Sequence, residues 1–138
     1  MKRTTIALLA ALMAAALPST AFAYGAIAVG TTSSVAKDGF ALGASTDFDS
    51  AKAAAADAMK QCKTGDSSAA TKARCKVVES FNDQCFAVAF DRRANKSGLG
   101  WAVAPTRWGA RSKAMGMCRE TGGRGSFCSV GGSSCDRR

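Results

Sequence analysis

The stretch GWAVAPT, residues 100–106, decides the fold because it repeats the pattern of an earlier stretch, GFALGAS, residues 39–45. Glycine, an aromatic residue, alanine, an aliphatic residue and a final small hydroxyl residue recur in the same order. The match continues towards the N-terminus without a gap, where AIAV at 26–29 aligns with AVAF at 87–90. This agreement indicates that one structural unit occurs twice.

The agreement also continues towards the C-terminus. After a five-residue deletion, AMKQC at 58–62 aligns with AMGMC at 114–118, and a further cysteine follows in each copy. Single short apolar blocks match easily by chance, whereas four blocks in the same order do not. The sequence therefore predicts two repeats, 24–84 and 85–138, within a single domain.

Each repeat contains three short apolar runs that read as strands. The runs are bounded by polar or glycine-rich segments, as strands are. The six predicted strands cover 26–29, 39–44, 75–78, 87–90, 100–104 and 127–130. Two departures from strict duplication stand out, an insertion at 46–49 and a longer polar loop at 63–74.

Between the second and third strand of each repeat, the pattern is helical. Small apolar residues recur at helical spacing, which is typical of a helix packed closely on a sheet. The two stripes are Ala51, Ala55, Ala58 and Cys62 in 50–62, and Ala110, Ala114, Met117 and Cys118 in a helix capped by Thr106. The order strand–strand–helix–strand, occurring twice, predicts an α+β fold with an antiparallel sheet and two helices.

The N-terminus carries the features of a secretory signal peptide. Lys2 and Arg3 precede an apolar run, 6–17, and an A-x-A cleavage site follows at 21–23. The run is shorter than the roughly 20 residues that a membrane span needs. We therefore expect residues 1–23 to be removed and residues 24–138 to form the exported domain, in the periplasm or outside the cell.

Six cysteines follow the predicted cleavage site. An even number in a small exported domain indicates disulfides, and the symmetry of the repeats favours Cys62–Cys75, Cys118–Cys128 and Cys85–Cys135 among the many possible pairings. The chain has no histidine and no C-x-x-C pair, so the usual zinc spacings are missing. We expect no metal and no cofactor.

The sequence resembles a known family. Its start at YGAIAV, the glycine–aromatic strand, the helices ending in A-M-x-x-C and the duplicated layout are similar to those of small secreted bacterial proteins known only as a domain of unknown function. The resemblance covers nearly all of 24–138. It implies bacterial export and a disulfide-bonded layout, and it transfers no catalytic residues.

Charge distinguishes the two repeats. Basic and acidic residues number seven each from Tyr24 to Cys85, but ten and three from Phe86 to Arg138. Arginine pairs with carboxylate or phosphate through two parallel hydrogen bonds, and a guanidinium can also stack on an indole. We therefore predict a basic face that binds an anionic partner, formed by Arg92, Arg93, Arg107, Trp108, Arg111, Lys113, Arg119 and Arg124. The alternative is that these charges are ordinary solvated residues and that Trp101 and Trp108 belong to the core.

Enzymatic activity is disfavoured by the missing residue types. Without histidine there is no ordinary Ser-His or Cys-His pair. A small carboxylate-dependent hydrolase is the least favoured alternative, and the acidic pairs available to it are Glu79 with Asp83 and Asp91 with Glu120.

The leading hypothesis is a non-catalytic binding module, of an inhibitor or immunity type, whose second repeat contacts an anionic protein or cell-envelope component. Peripheral contact with an anionic lipid surface fits the same charge. Nucleic acid fits the charge but not the exported compartment. The alternative is a structural or stress-related envelope protein without a specific ligand.

Overall fold

The computed structural model describes residues 22–93 and 95–136. The predicted signal peptide lies outside the described residues as far as residue 21. The strands are β1 Tyr24–Thr31, β2 Phe40–Phe48, β3 Lys76–Asn82, β4 Cys85–Asp91, β5 Leu99–Ala104 and β6 Cys128–Cys135. The helices are α1 Val35–Asp38, α2 Ala51–Thr64, α3 Ala69–Lys72 and α4 Arg107–Glu120.

The strands form two three-stranded antiparallel sheets with matching topology. β1 lies between β2 and β3 in the first sheet, and β4 lies between β5 and β6 in the second. In each sheet a helix connects the second strand to the third, α2 in the first and α4 in the second. The predicted α+β class and the strand–strand–helix–strand order are confirmed, with the strands divided between two sheets. The short helices α1 and α3 are additions that the apolar pattern did not predict.

The two sheets pack face to face through the large apolar side chains. Ile27 and Phe81 of the first sheet and Phe86 and Val88 of the second lie in one buried cluster. The Phe81 and Phe86 rings cross this interface with their centroids 5.9 Å apart. This cluster is the part of the core that joins the two halves.

The outer face of each sheet is covered by a helix through small residues. Ala54, Ala58 and Cys62 of α2 are buried on the first sheet, and Ala110, Ala114 and Cys118 of α4 are buried on the second. The layers therefore run α2, first sheet, second sheet, α4. Ala51, which we expected in the buried stripe of α2, is exposed. Among the described residues, no helix has both the length and the apolar character needed to cross a membrane.

The register of the sheets corrects the alignment of the second strands. Gly43 lies opposite Ala28 in the first sheet, and Gly100 lies opposite Ala89 in the second. Gly43, not Gly39, is thus the structural counterpart of Gly100. Gly39 instead ends α1 with φ 71°. The extra residues that the alignment placed at 46–49 therefore lie mainly in the β1–β2 connection.

The three disulfides join the cysteines that the repeat symmetry favoured. Cys62–Cys75 and Cys118–Cys128 each tie the end of a long helix to the third strand of its unit. Cys85–Cys135 joins the first and third strands of the second sheet, β4 and β6. The predicted pairing is confirmed.

Candidate functional site

Helix α4 and strand β6 enclose an open groove of about 610 Å³ on the outer side of the second unit. We call it the α4–β6 groove. Its lining residues are Trp108, Arg111, Ser112, Met115, Arg119 and Val130. Cationic, aromatic and apolar groups thus share one concave surface.

The position of the groove follows from how α4 begins and what it buries. Thr106 caps the helix, its hydroxyl accepting a hydrogen bond from the Gly109 N–H at 3.1 Å. Ala110 and Ala114 then face the sheet, fully buried. Residues three and four apart lie on one flank of a helix, so Trp108 and Arg111 project together beside β6.

The groove is cationic, and no acidic side chain among the described residues pairs with its arginines. Within the part of the chain that the structure describes, the ion pair is Arg93–Asp91, and neither Arg111 nor Arg119 has an acidic partner. The Trp108 side chain is 80% exposed, the highest value among the exposed large hydrophobic residues. Two unpaired guanidinium groups and an exposed indole are suited to binding an anion that also carries an apolar group.

A family model described as Domain of unknown function (DUF4189) matches residues 24–135. The chain belongs to this family. Searches of curated proteins and of solved structures gave no match. The matched residues include both sheets, all six cysteines and the α4–β6 groove, so the groove lies inside the DUF4189 domain. The expected membership of a family of unknown function is confirmed.

Three of the eight predicted basic-face residues meet in the groove of the DUF4189 domain, namely Trp108, Arg111 and Arg119. Arg107 is exposed at the first position of α4, and Lys113 lies on the flank of the helix away from β6; neither lines the groove. Arg92 is exposed just after β4. The predicted face is therefore broken into a groove and separate solvated cations.

Arg93 has a structural role that the sequence did not predict. Its Nη2 donates to Asp91 Oδ2 at 2.6 Å and its Nε donates to Asp91 Oδ1 at 3.0 Å. The guanidinium lies 3.9 Å from the centroid of the Phe127 ring. Among the described residues, a guanidinium therefore stacks on the phenyl ring of Phe127, whereas we expected stacking on an indole. Because its charge is already paired, Arg93 is not available to an external anion in this arrangement.

Arg124 belongs to the same structural cluster. Its backbone N–H donates to Asp91 Oδ2 at 3.3 Å, while the residue as a whole is exposed. The hydrogen bonds from the Arg93 side chain, opposed by burial and helped by the backbone N–H groups, hold the pKa of Asp91 well below its usual range. Asp91 is consequently a fixed counter-ion, which removes it from the carboxylate pair with Glu120.

Three residues of the groove were not predicted from the sequence. Ser112, Met115 and Val130 line the groove but carry no charge, so the charge count gave them no signal. Met115 did lie one helical turn from Arg111 and two from Trp108, a spacing that would have placed it on their flank.

A second cationic opening was also missed. It lies between the two sheets, has a volume of about 480 Å³ and is lined by Val29, Thr31, Arg74, Lys76, Val78 and Trp101. We call it the inter-sheet opening. Its cations come from the first half of the chain, whose net charge of zero concealed them.

The first half carries a different set of residues at the positions of the groove. Ser50 caps α2 as Thr106 caps α4, each accepting from the N–H three residues on. Aligned on these caps, Lys52 occupies the place of Trp108 and Ala55 the place of Arg111. The aromatic and guanidinium groups are thus specific to the second unit.

Asp136 is a buried carboxyl group away from the groove. Its Oδ1 accepts from the Asp47 N–H at 2.7 Å, whereas Oδ2 is buried and has no hydrogen-bond partner among the described residues. Burial, together with the charges of Asp47 and Asp83, raises its pKa despite the Asp47 hydrogen bond. Within residues 22–93 and 95–136, no three histidine, cysteine or carboxylate side chains are grouped so as to hold a metal ion.

Proposed function

We propose that this DUF4189 domain is a non-catalytic, exported binding module that holds an anionic partner in the α4–β6 groove. The observation that carries the proposal is the exposed Trp108 beside Arg111 and Arg119, neither of which has an acidic partner among the described residues. An inhibitor or immunity-type protein works in this way, by covering a charged surface of its target.

The distribution of acidic residues supports an anionic partner. Of the three acidic residues after Phe86, Asp91 and Asp136 are buried and only Glu120 is exposed. The net positive charge on the surface of the second unit is therefore higher than the net charge counted from its sequence. A positive field of this kind raises the rate at which anionic partners are encountered.

The disulfides support export. Three disulfides and no free cysteine are present in the described residues, and structural disulfides persist mainly in oxidising compartments. Together with the signal-peptide pattern at 1–23, they favour the periplasm or the cell exterior as the place of action.

The test is a binding titration with poly-glutamate across a salt series. The wild-type protein is compared with Arg111→Glu/Arg119→Glu and with Arg74→Glu/Lys76→Glu, a control with the same change of charge at the inter-sheet opening. We expect saturable binding that weakens with salt, a loss of at least tenfold in the groove variant, and a much smaller loss in the control.

Other outcomes of this titration would give the positive charge a different role. Equal losses in both variants would mean that net charge, not the groove, attracts the polymer. No saturable binding at low salt would contradict the proposal and favour an envelope protein without a specific ligand. Far-ultraviolet circular dichroism of each variant checks that folding is unchanged.

A further inference from the structure

We infer that the partner contributes an extended segment that pairs with the free edge of β6, as a fourth strand of the second sheet, with acidic side chains facing α4 and apolar side chains facing the inter-sheet side. This inference rests on the proposed function, because it assigns the shape and chemistry of the anionic partner in the same groove.

The backbone of β6 has an unused hydrogen-bonding edge. β6 pairs only with β4 among the described strands. The Asp136 N–H donates to the Gln84 carbonyl at 2.7 Å, so this pair is hydrogen-bonded. Because the two kinds of pair alternate, the next pair, Cys85 and Cys135, is a non-hydrogen-bonded pair.

The alternation of an antiparallel ladder then fixes the direction of the free groups. Cys135 directs its N–H and C=O away from β4, and so does Ser133, which lies two residues earlier and opposite Ala87. Among the described residues, no backbone group outside the sheet bonds to either of them. These groups are the donors and acceptors that an added strand needs.

This edge lacks two common protections against strand pairing, charged residues and proline, although its ladder has a register shift between Val88 and Ala89. Natural sheets place charged residues or proline on exposed edges. β6 has the sequence CSVGGSSC and contains neither. β3, the corresponding edge of the first sheet, carries Lys76 and Glu79. The two edges therefore differ in charge, which is one of the features that determine whether another strand can pair.

Cavities flank the β6 edge on both faces. The α4–β6 groove lies on one face, where Val130 contributes to its lining. On the other face, a mainly apolar cavity of about 230 Å³ lies between the sheets and is lined in part by Leu42, Ala44, Phe90 and Gly132. Side chains of an added strand alternate between the two faces, so one set enters the cationic groove and the other the apolar cavity.

The spacing of the cations suits such a strand. Arg111 and Arg119 are eight residues apart on α4, which corresponds to about 12 Å along the helix. Side chains four residues apart on one face of a strand are separated by about 13 Å. Two acidic residues at that separation can each meet one guanidinium, with Trp108 and Met115 contacting the chain between them. Strand addition uses main-chain hydrogen bonds for affinity and flanking pockets for specificity.

A second copy of the chain suits this edge less well. Pairing β6 with β6 would bring two copies of Arg111 and Arg119 into proximity, and like charges placed together disfavour association. An acidic peptide neutralises the same groups.

The experiment uses the oxidised protein and a synthetic peptide of alternating glutamate and valine, with a block peptide of the same composition as the ligand control. Ser133→Pro removes the outward N–H while sparing the ladder to β4. Ser80→Pro is the matched control, since Ser80 lies opposite Ala26 in β3 as Ser133 lies opposite Ala87 in β6. Amide hydrogen exchange of Ser133 and Cys135 in the wild-type protein reports the new hydrogen bonds directly.

We expect the alternating peptide to bind at least tenfold more tightly than the block peptide. Binding should fall at least tenfold in Ser133→Pro but less than twofold in Ser80→Pro. Exchange at Ser133 and Cys135 should slow at least tenfold on saturation. If Ser133→Pro does not fold, the exchange measurement on the wild-type protein is sufficient to test strand addition at β6.

Other outcomes overturn the inference and separate it from the proposed function. Binding that depends on Arg111 and Arg119 but gives no protection of Ser133 or Cys135 would leave an anionic-partner groove without strand addition. Binding to phosphatidylglycerol vesicles but not to the peptide would assign the groove to a lipid surface. Protection of the two amides in the free protein, rising with its concentration, would assign the edge to a second copy. No binding to the peptide or to poly-glutamate would end both proposals.

Discussion

Gly43 in β2 and Gly100 in β5 occupy the same position beneath a helix. A Cβ at Gly43 would collide with the Ala58 carbonyl of α2, and a Cβ at Gly100 would collide with the Ala114 carbonyl of α4. Each glycine lets a helix backbone rest directly on a strand. This close approach is the reason that both helices present small residues to their sheets.

Substitution of Gly100 by alanine is therefore expected to destabilise the protein by about 1–3 kcal/mol, the usual cost of overpacking a close-packed core. Gly132→Ala is the control, because a Cβ there has no atom within 4 Å, and it should change stability by less than about 0.5 kcal/mol. Urea unfolding of both variants measures the difference. Equal stabilities would contradict the close packing of α4 on β5.

Much of the fold was predictable because the signals were local. Short apolar runs identified all six strands, the alanine-rich stretch from residue 50 marked the start of α2, and the predicted cap Thr106 marked the start of α4. The disulfides followed from symmetry. The exact equivalence of Gly43 and Gly100 was not predictable, since an ungapped match placed Gly39 there and only the strand register reveals the longer β1–β2 connection.

The candidate site was predictable only in part, for a physical reason. Charge counts locate basic residues but not their partners. Arg93 looked like Arg111 in the sequence, yet Asp91 lies two residues from it in a turn that closes an ion pair. Whether β6 has a free edge depends on the order of the strands in the sheet. That order cannot be read from the order of the strands along the chain.

The pair Asp91–Arg93 predicts a loss of stability in acid. The folded-state pKa of Asp91 lies below its ordinary value of 3.8 because Arg93 bonds its charged form. Its contribution is therefore present above the unfolded-state pKa and is lost as the pH falls through the folded-state pKa. Asp91→Asn should lower the Tm at pH 7 and show a weaker decline in Tm below pH 4 than wild type. A parallel decline in both proteins would contradict this assignment.

Asp136 predicts a pH dependence of opposite sign. Burial raises its pKa above 3.8, with the charges of Asp47 and Asp83 adding to the effect. The folded state then holds the proton more tightly than the unfolded chain, so this contribution is complete below pH 3.8 and is lost as the pH rises through the raised pKa.

The Asp136→Asn variant isolates this contribution, because its amide oxygen still accepts from the Asp47 N–H but has no proton to lose. Relative to the variant, the wild-type protein should lose stability as the pH rises above 3.8 and through the raised pKa of Asp136. Urea unfolding at several pH values gives the difference curve. A difference that is constant with pH would show that Asp136 has an ordinary pKa.

The disulfides are expected to contribute unequally. Cys85–Cys135 closes a sequence separation of 50 residues, and Cys118–Cys128 one of 10. Loop-closure entropy predicts losses of about 4 and about 3 kcal/mol when each pair is replaced by serine. Chemical unfolding of the two double variants tests the order. A larger loss from the 118–128 pair would indicate that native packing, not chain entropy, dominates.

The fluorescence of Trp108 is expected to change on binding, and its side chain is expected to stabilise the complex. In Trp101→Phe it is the sole tryptophan, and its emission should shift to the blue and resist acrylamide quenching when the alternating peptide binds. Trp108→Ala should weaken binding by roughly tenfold, since exposed tryptophans in a groove often become energetic centres of an interface. Val77→Ala, at another exposed large apolar residue, controls for general loss of apolar surface.

The reverse variant, Trp108→Phe, distinguishes the two cationic regions. It leaves Trp101, which lines the inter-sheet opening and is half-buried, as the only tryptophan. If the partner occupies the α4–β6 groove, the emission of Trp101 should stay unchanged during the titration. A response from Trp101 with none from Trp108 would relocate the site to Arg74 and Lys76, because those two cations share the opening with Trp101.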